Sequence, residues 1–362
     1  MRCILVLLCS GLFACGLAAD IPSDHNTYTR AAETPLRITG RTDTHTDGSI
    51  SFGYPAVSLE LIISGGTLAM TAFSSNGENQ LALTVDDQAP IRITPGKTAQ
   101  AITLSESTQP RHIRISHLGE TWHGVVTIAG FSLSGGEYRA PPSPQQRKLL
   151  VIGDSVTCGE AVERTTDCTK TKDWWNPDES WGMLLARALN AEAHLVCYGG
   201  RGLMRSWNGN TEDLQAPDFI NLSLATEDGP SWDHGRYQPA LIVVSVGTND
   251  FSLSIGALPE RDQFVNTYTA FVGQLLQLYP KADIVLTEGA IVNDKADPQR
   301  PQKSRLREYI SATLANVDNA RVHQIQAQHY PGDSCDAHPT GEQHRAMAKD
   351  LLDDLQTISG WR

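Results

Sequence analysis

The spacing of apolar residues differs between the two halves of the chain, which indicates two different folds. From about residue 37 to residue 134, apolar and polar residues alternate in short segments separated by turn residues. A period of two is typical of half-buried β-strands. The predicted strands are Ser58–Ser64, Thr67–Phe73, Leu81–Val85, Ile91–Thr94, His112–Ser116 and Gly124–Ala129. Strands this short and closely spaced predict an all-β sandwich, jelly-roll-like, over residues 34–138.

The second half shows a different pattern after a proline-rich linker, residues 139–147. Short, wholly apolar runs alternate there with amphipathic helical segments. The predicted strands are Lys148–Ile152, His194–Cys197, Leu241–Val246, Ile284–Thr287 and Val322–Ile325. The predicted helices are Trp181–Leu189, Gln263–Leu278, Ser304–Leu314 and Glu342–Leu355. Strands that are apolar on both faces are typical of a parallel sheet covered by helices, so residues 148–362 are predicted to form an α/β domain.

The first 19 residues are predicted to be a signal peptide. A positive N-terminus precedes an apolar run of about 12 residues, 3–14, which is too short for a membrane span. Gly16 and Ala18 fit the small residues of a cleavage site. We therefore expect a secreted or periplasmic protein with no integral membrane span. A lipid anchor at Cys15 is the alternative, because Leu12-Phe13-Ala14-Cys15 resembles a bacterial lipobox.

The net negative charge of the chain excludes some classes of binding partner. The chain has 29 Lys and Arg against 41 Asp and Glu, a net charge of −12. Binding to phosphate backbones needs clustered basic residues, so nucleic acids are excluded as partners. Anionic membrane surfaces are excluded for the same reason.

Four cysteines lie beyond the signal peptide: Cys158, Cys168, Cys197 and Cys335. An even number in an exported protein indicates disulfides, and the short loop between Cys158 and Cys168 makes this pair the first candidate. The four cysteines contain no CxxC spacing. A metal site is therefore not expected.

Small and polar residues follow three of the predicted strands of the second half. They are Gly153-Asp154-Ser155, Tyr198-Gly199-Gly200 and Gly247-Thr248-Asn249-Asp250. A fourth group, Asp336-Ala337-His338, comes after the last predicted strand. Ligands of open parallel sheets bind beyond the carboxyl ends of the strands. We therefore expect these four groups to meet in one site.

These residue types suit acyl transfer. A serine hydroxyl becomes a good nucleophile when an imidazole takes its proton, a role that His338 can fill for Ser155. Ser155 lies where a helix is predicted to begin, so its N–H can face the developing oxyanion. Gly200 offers a second N–H, and the Asn249 amide offers a third donor. Such a site needs no cofactor.

In content and order, the four groups resemble motif blocks of the SGNH (GDSL-like) hydrolases. The resemblance covers about residues 148–362 and implies their three-layer α/β fold. The β domain followed by Gly153-Asp-Ser-Val-Thr-Cys-Gly159 resembles carbohydrate esterase family 2, which joins a jelly roll to an SGNH domain. This second resemblance implies an enzyme that removes O-acetyl groups from carbohydrates.

One position departs from the usual SGNH pattern, which has Asp three residues before the catalytic His. That position is Cys335 here, whereas Asp336 lies two residues before His338. Carbohydrate esterase family 2 has Asp at this nearer position, and some of its members work with a Ser–His dyad. Asp336 is therefore the candidate to orient His338. Asp333 and a backbone carbonyl are the alternatives.

Substrate contacts are predicted from the aromatic residues in loops, because flat apolar faces stack on sugar rings. Five of the seven tryptophans lie in loops or at element edges after the first or the second motif group: Trp174, Trp175, Trp181, Trp207 and Trp232. We take Trp207, Trp232 and Arg201 as candidate substrate-binding residues. Two other functions stay open, a lipase or thioesterase on the same site and a sugar-binding protein with an inactive hydrolase domain.

Overall fold

The computed structural model describes residues 27–361 as two packed domains, beginning with a β-sandwich. The strands of the sandwich are β1 (Thr27–Arg30), β2 (Arg37–Thr39), β3 (Asp43–Thr44), β4 (Ile50–Phe52), β5 (Ser58–Ile63), β6 (Gly66–Ser74), β7 (Leu81–Val85), β8 (Ile91–Ile93), β9 (Gln100–Ser107), β10 (Arg111–His117), β11 (Val126–Ser134) and β12 (Tyr138–Arg139). One antiparallel sheet has the order β3-β4-β11-β6-β9, with β1 beside β11. The other has the order β12-β5-β10-β7-β8, with β2 beside β5.

The predicted sandwich is confirmed, with differences at its edges. Strand β1 pairs with β11, so the first sheet includes residues before the predicted start at residue 34. Strand β9 was not predicted from the sequence. It lies at the edge of its sheet and pairs only with β6 among the described strands, and only Leu104 of its eight residues is buried. An exposed edge strand needs no apolar alternation, so its sequence pattern is weak.

The second domain is the predicted three-layer α/β fold. Its elements are β13 (Arg147–Gly153), α1 (Trp181–Ala188), β14 (Ala191–Cys197), α2 (Ala216–Phe219), β15 (Leu241–Ser245), α3 (Arg261–Leu278), β16 (Asp283–Leu286), α4 (Gln302–Val317), β17 (Val322–Gln324) and α5 (Gly341–Ser359). The strands form one parallel sheet in the order β14-β13-β15-β16-β17. The parallel pairing and the burial of the strands thus agree with the apolar runs of the sequence.

Alternate side chains of β13 enter two cores, which explains why the strand is apolar throughout. Leu149 and Val151 belong to the apolar cluster that includes residues of α1 and α5. Leu150 and Ile152 belong to the cluster that includes residues of α3 and α4. The two helix layers therefore cover opposite faces of the sheet and leave its carboxyl edge open for a site.

Buried polar contacts join the two domains. Arg41 of the sandwich is 1% exposed, and its guanidinium donates to the carbonyls of Ile220 and Leu222 at 2.7 and 2.8 Å. The hydroxyl of Tyr54 donates to the Phe219 carbonyl at 2.6 Å. These contacts fix the sandwich against the loops that follow β14, next to the carboxyl edge of the sheet.

Within residues 27–361, no helix combines the length and apolar character needed to cross a bilayer. The predicted signal peptide, residues 1–19, lies outside the described residues. The lipid-anchor alternative at Cys15 lies outside them as well.

Candidate active site

Ser155 lies directly after β13, and its hydroxyl meets a histidine from the far end of the chain. The Ser155 Oγ is 2.9 Å from the Nε2 of His338, although 183 residues separate them. Ser155 was predicted to lie at the start of a helix, and this prediction is wrong. Residues 155–163 form turns instead, because Gly159 and Ala161 adopt left-handed backbone conformations that end each helical turn.

Asp336 contacts the other side of the His338 ring. Its Oδ1 lies 2.5 Å from Nδ1 of His338 and also accepts the His338 backbone N–H at 2.8 Å. Burial tends to raise the pKa of Asp336, but hydrogen bonds from His338 and Lys170 outweigh it and hold the pKa well below its usual range. Asp333, the alternative from the sequence, accepts instead from Arg164 and from the backbone of Cys335.

Two further charged residues surround the Ser155–His338 pair. The ammonium of Lys170 lies 2.8 Å from Asp336 Oδ2 and 2.5 Å from Glu160 Oε1. The second oxygen of Glu160 is 3.4 Å from His338 Nε2. Glu160, Asp336 and His338 bring potential metal ligands within 4.8 Å of one another. The Lys170 cation bridges both carboxylates, however, which favours an ion-pair network over a divalent cation.

Backbone and amide donors face Ser155 from the neighbouring strand ends. Gly200 has φ +75°, and a Cβ built on it would lie 2.7 Å from the Trp207 ring. Within residues 27–361, the N–H groups of Ser155 and Gly200 have no hydrogen-bond acceptor. Asn249 donates one amide hydrogen to the Arg201 carbonyl at 2.7 Å, which leaves its second hydrogen for a ligand. The three predicted donors thus line the same cleft.

Asp250 holds the segment that follows the Gly200 turn. It is fully buried and accepts the backbone N–H groups of Leu203, Met204 and Arg205 at 2.7–3.1 Å. Burial raises the pKa of Asp250 to about 6, against these three hydrogen bonds. Its part in the site is to fix the backbone beside the donors.

The cysteines pair differently from the prediction. Cys158 bonds to Cys197, and Cys168 bonds to Cys335, so the expected Cys158–Cys168 bridge is wrong. Sequence proximity was a poor guide because the buried Cys158 faces the end of β14. The first bridge ties the Ser155 turn to the strand before Gly200. The second ties a surface loop to the residue next to Asp336.

Ser155, His338, Gly200 and Asn249 open into a cleft of about 950 Å³. Its polar walls include Arg201, Asn208, Asn210, Asp213 and Asn293. Two exposed tryptophans also line it, Trp122 from the sandwich at 52% and Trp207 at 56% exposure. A wide cleft with polar side chains on its walls and two exposed tryptophans can hold a hydroxyl-rich ligand.

The predicted substrate residues do not all lie here. Trp207 and Arg201 line the cleft, whereas Trp232 is 6% exposed and its ring contacts the guanidiniums of Arg41 and Arg236. This cation–π stack belongs to the domain interface, so the prediction for Trp232 is wrong. Trp174, Trp175 and Trp181 are also buried, at 4% or less. The Arg201 guanidinium pairs with Asp213.

Sequence reasoning missed four residues of this region: Glu120, Trp122, Glu160 and Lys170. Glu120 and Trp122 come from the sandwich, where no motif marked a site. Glu160 follows the serine motif by five residues, so its proximity could have been noticed. Lys170 lies two residues after Cys168, whose bridge to Cys335 joins this loop to the residue before Asp336, a pairing that the sequence did not reveal.

Comparison with known families matches both halves of the chain. Residues 38–142 match the family model described as carbohydrate esterase 2 N-terminal. Residues 151–349 match the GDSL-like lipase/acylhydrolase family.

Similar proteins extend over nearly the whole length. A protein of Cellvibrio japonicus (strain Ueda107), named acetylxylan esterase / glucomannan deacetylase, is 44% identical over 363 residues, 98% of each chain. The structure of a family two carbohydrate esterase from Cellvibrio japonicus matches with TM-score 0.89 and 43% identity, covering 93% of this chain and 99% of that one. A family two esterase from Clostridium thermocellum, in complex with cellohexaose, matches with TM-score 0.81 and 25% identity, covering 90% and 100%. The chain therefore belongs to carbohydrate esterase family 2 and is an ester hydrolase with a GDSL-like catalytic domain.

Proposed function

We propose that the protein is a secreted serine esterase that removes O-acetyl groups from carbohydrates. The observation that carries the proposal is the 2.9 Å contact between Ser155 Oγ and His338 Nε2, in a cleft that Gly200 and Asn249 also line. A nucleophile, its base and several oxyanion donors within one cleft are the parts that acyl transfer requires.

In the first half of the reaction, Ser155 Oγ attacks the acetyl carbonyl carbon while its proton passes to His338 Nε2. The N–H groups of Ser155 and Gly200 and the Asn249 amide donate to the resulting oxyanion. The bond between the carbonyl carbon and the sugar oxygen then breaks, and His338 gives the proton to that oxygen. Asp336 holds the ring in the required tautomer throughout.

In the second half, water attacks the acetyl group on Ser155, and His338 takes a proton from the water. The ester bond to Ser155 Oγ breaks, His338 returns the proton to that oxygen, and acetic acid leaves and ionises to acetate in solution. Both half-reactions transfer their protons through Nε2 of His338, so the reaction needs no other general acid or base.

The walls of the cleft support a carbohydrate substrate rather than a lipid. Asn208, Asn210 and Asp213 can hydrogen-bond to sugar hydroxyls, and Trp122 and Trp207 present open ring faces. A long acyl chain offers no hydrogen-bonding groups to these side chains. The similar Cellvibrio japonicus protein is named for xylan and glucomannan, so acetylated forms of these polymers are the first substrates to assay.

The test compares p-nitrophenyl acetate with the octanoate ester, against a blank without enzyme, and measures acetate released from acetylated xylan and glucomannan. We expect faster turnover of acetate and complete loss in Ser155→Ala. Ser311→Ala is the matched control, since its exposed hydroxyl contacts the Arg307 carbonyl and the Gln324 side chain and not His338. Turnover in Ser155→Ala would refute the mechanism, and faster octanoate cleavage would refute the substrate. Glycan binding without acetate release would identify an inactive binding protein.

Secretion forms part of the same proposal. It rests on the predicted signal peptide and on two disulfides, which form in oxidising compartments. Mass spectrometry of the N-terminal peptide should show a chain that begins near residue 20. A diacylglycerol-modified Cys15 would instead establish the lipoprotein alternative.

A further inference from the structure

Glu120 of the sandwich domain is completely buried against the turn that carries Gly200. It lies in the loop after β10, and its exposed fraction is 0%. One carboxyl oxygen, Oε1, accepts the N–H of Gly199 at 3.0 Å and the N–H of Thr121 at 3.0 Å. A side chain of the first domain therefore holds a backbone group of the second, next to a predicted oxyanion donor.

The backbone around Gly200 is fixed on both sides. Before it, the Tyr198 N–H donates to the Gly153 carbonyl at 3.1 Å, and the Gly199 N–H donates to Glu120. After it, the Gly200 carbonyl accepts from the Trp207 N–H at 2.9 Å. The Gly200 N–H belongs to the peptide between residues 199 and 200. These bonds hold the peptides on either side of it and so fix the two Cα atoms between which the Gly200 N–H lies. Glu120 is the member that the sandwich contributes.

The fit between Glu120 and Gly199 is close. A Cβ on Gly199 would lie 2.7 Å from Glu120 Oε2 and 3.2 Å from the Trp122 indole nitrogen. The carboxyl group thus lies directly against the Gly199 Cα, where no side chain would fit. This contact leaves the turn little freedom to shift sideways.

The second carboxyl oxygen shows that the contact costs stability. Within residues 27–361, Glu120 Oε2 is buried without a hydrogen-bond partner. Burial, and then the negative charge of Glu160, raise the pKa of Glu120 to about 8, against the hydrogen bonds from Gly199 and Thr121. An unpaired polar atom in a buried position destabilises a fold and calls for a functional explanation.

We propose that Glu120 is a positioning residue of the esterase reaction, which holds the Gly199 N–H so that the Gly200 N–H points at the reacting carbonyl oxygen. The oxyanion hole is then complete only with the sandwich domain in place. This inference rests on the proposed function and adds to it the reason for joining a sandwich to the hydrolase domain.

The test compares Glu120→Ala and Glu120→Gln, with p-nitrophenyl acetate as substrate. Since removing one oxyanion donor costs about 10²–10³ in kcat, misaligning one should lower kcat by about 10-fold to 10²-fold in Glu120→Ala, with KM little changed. Glu120→Gln should recover most of the loss, because its amide oxygen still accepts the Gly199 N–H. Inhibition by methylboronic acid, which forms a tetrahedral adduct on serine, should weaken in Glu120→Ala in parallel with kcat.

Thr121→Val is the matched control. The Thr121 hydroxyl crosses the same interface and donates to the Cys197 carbonyl at 2.6 Å, but it does not touch Gly199 or Gly200. We expect it to lower the melting temperature while kcat stays unchanged. Where Glu120→Ala does not fold, Glu120→Asp serves instead, since its carboxyl group is one methylene too short to reach Gly199.

The outcomes separate this proposal from the function on which it rests. A wild-type protein without esterase activity refutes both. An active wild type with an equally active Glu120→Ala refutes only the role of Glu120. Equal losses of kcat in Glu120→Ala and Thr121→Val would show a merely structural contact. A loss in Glu120→Gln as large as in Glu120→Ala would show that acceptance of the Gly199 N–H is not the cause.

Discussion

The ammonium of Lys170 lies 2.8 Å from Oδ2 of Asp336, the same carboxylate whose Oδ1 meets His338. Asp336 is therefore held from both sides, by the His338 imidazole and by a cation from a surface loop. Burial tends to lower the pKa of Lys170, but hydrogen bonds to Asp336 and Glu160 outweigh this and raise it. The pair stays ionised, so Lys170 can fix the carboxylate without taking its charge away.

Lys170→Met should lower kcat by roughly 10-fold, because a misplacement of about 1 Å near a reacting group costs up to 10²-fold. Asp336 and Glu160 both lose a partner in this variant, and Asp336 becomes free to rotate away from His338. Lys172→Met is the control, since Lys172 pairs with Glu78 on the sandwich and not with the site. Steady-state kinetics on p-nitrophenyl acetate decide between them. Equal kcat values for the two variants would mean that the Lys170–Asp336 ion pair does not contribute to catalysis.

Asp336→Asn should reduce kcat by on the order of 10³–10⁴-fold, since an amide in place of the carboxylate favours the wrong imidazole tautomer. Asp333→Asn should change kcat by far less, because Asp333 contacts Arg164 and backbone N–H groups but not the His338 ring. Small, equal effects in the two variants would instead show that a Ser155–His338 dyad is sufficient.

Glu120 should make the protein less stable as pH rises from about 4.5 to about 8. Its pKa is about 8 in the folded protein, against 4.5 for an ordinary Glu, so the folded state binds more protons in this window. The free energy of unfolding then falls by up to about 1.4 kcal/mol per pH unit. Glu160 and Asp154 supply the negative charges that face Glu120, and the ring of His123 accepts its backbone N–H.

Urea unfolding of the wild type and of Glu120→Gln between pH 4.5 and 8 measures this effect. The variant cannot ionise at this position, so its stability relative to the wild type should increase with pH. Other titrating groups are common to both proteins and cancel in the difference. Parallel curves would show that Glu120 has an ordinary pKa in the folded state.

Residues that act through local motifs could be located from the sequence, whereas those that act across long separations could not. Ser155 and Gly200 follow apolar strands of one parallel sheet, so the topology alone brings them together. Glu120 precedes Gly199 by 79 residues and belongs to another domain. Its contact depends on how the two domains pack, which no periodicity reveals. The prediction that Trp232 binds substrate was wrong for a related reason, because a tryptophan in a loop can be buried in a domain interface.

The two disulfides should differ in reducibility and in effect on activity. Cys158 and Cys197 are 0% exposed, whereas Cys168 is exposed and Cys335 is half-buried. Mild reduction should therefore open Cys168–Cys335 first. This bridge anchors the residue before Asp336, so kcat should fall by roughly 10-fold, within the range that a shift of about 1 Å can cause.

Peptide mapping without prior reduction should recover the peptides of Cys158 with Cys197 and of Cys168 with Cys335. The double variant Cys168→Ser/Cys335→Ser should show the lowered kcat without any reductant. The double variant Cys158→Ser/Cys197→Ser should mainly lower the free energy of unfolding. A disulfide that closes a loop of 39 residues reduces the entropy of the unfolded chain and so contributes about 4 kcal/mol. A peptide that joins Cys158 to Cys168 would contradict the structure.

Trp122 and Trp207 should contribute to binding of a sugar chain and little to the chemical step. Both rings are exposed, and they lie beside neighbouring residues of one turn, Trp122 at Gly199 and Trp207 at Gly200. Replacing either by Ala should raise KM for an acetylated oligosaccharide by about 3-fold to 10-fold, the size of one aromatic stacking contact. KM for p-nitrophenyl acetate, which is too small to span the cleft, should change much less. Trp232→Phe is the control, because it disturbs a buried cation–π stack and should lower the melting temperature with both KM values unchanged. A Trp122→Ala variant with normal oligosaccharide kinetics would show that the sandwich domain contributes no binding face to the cleft.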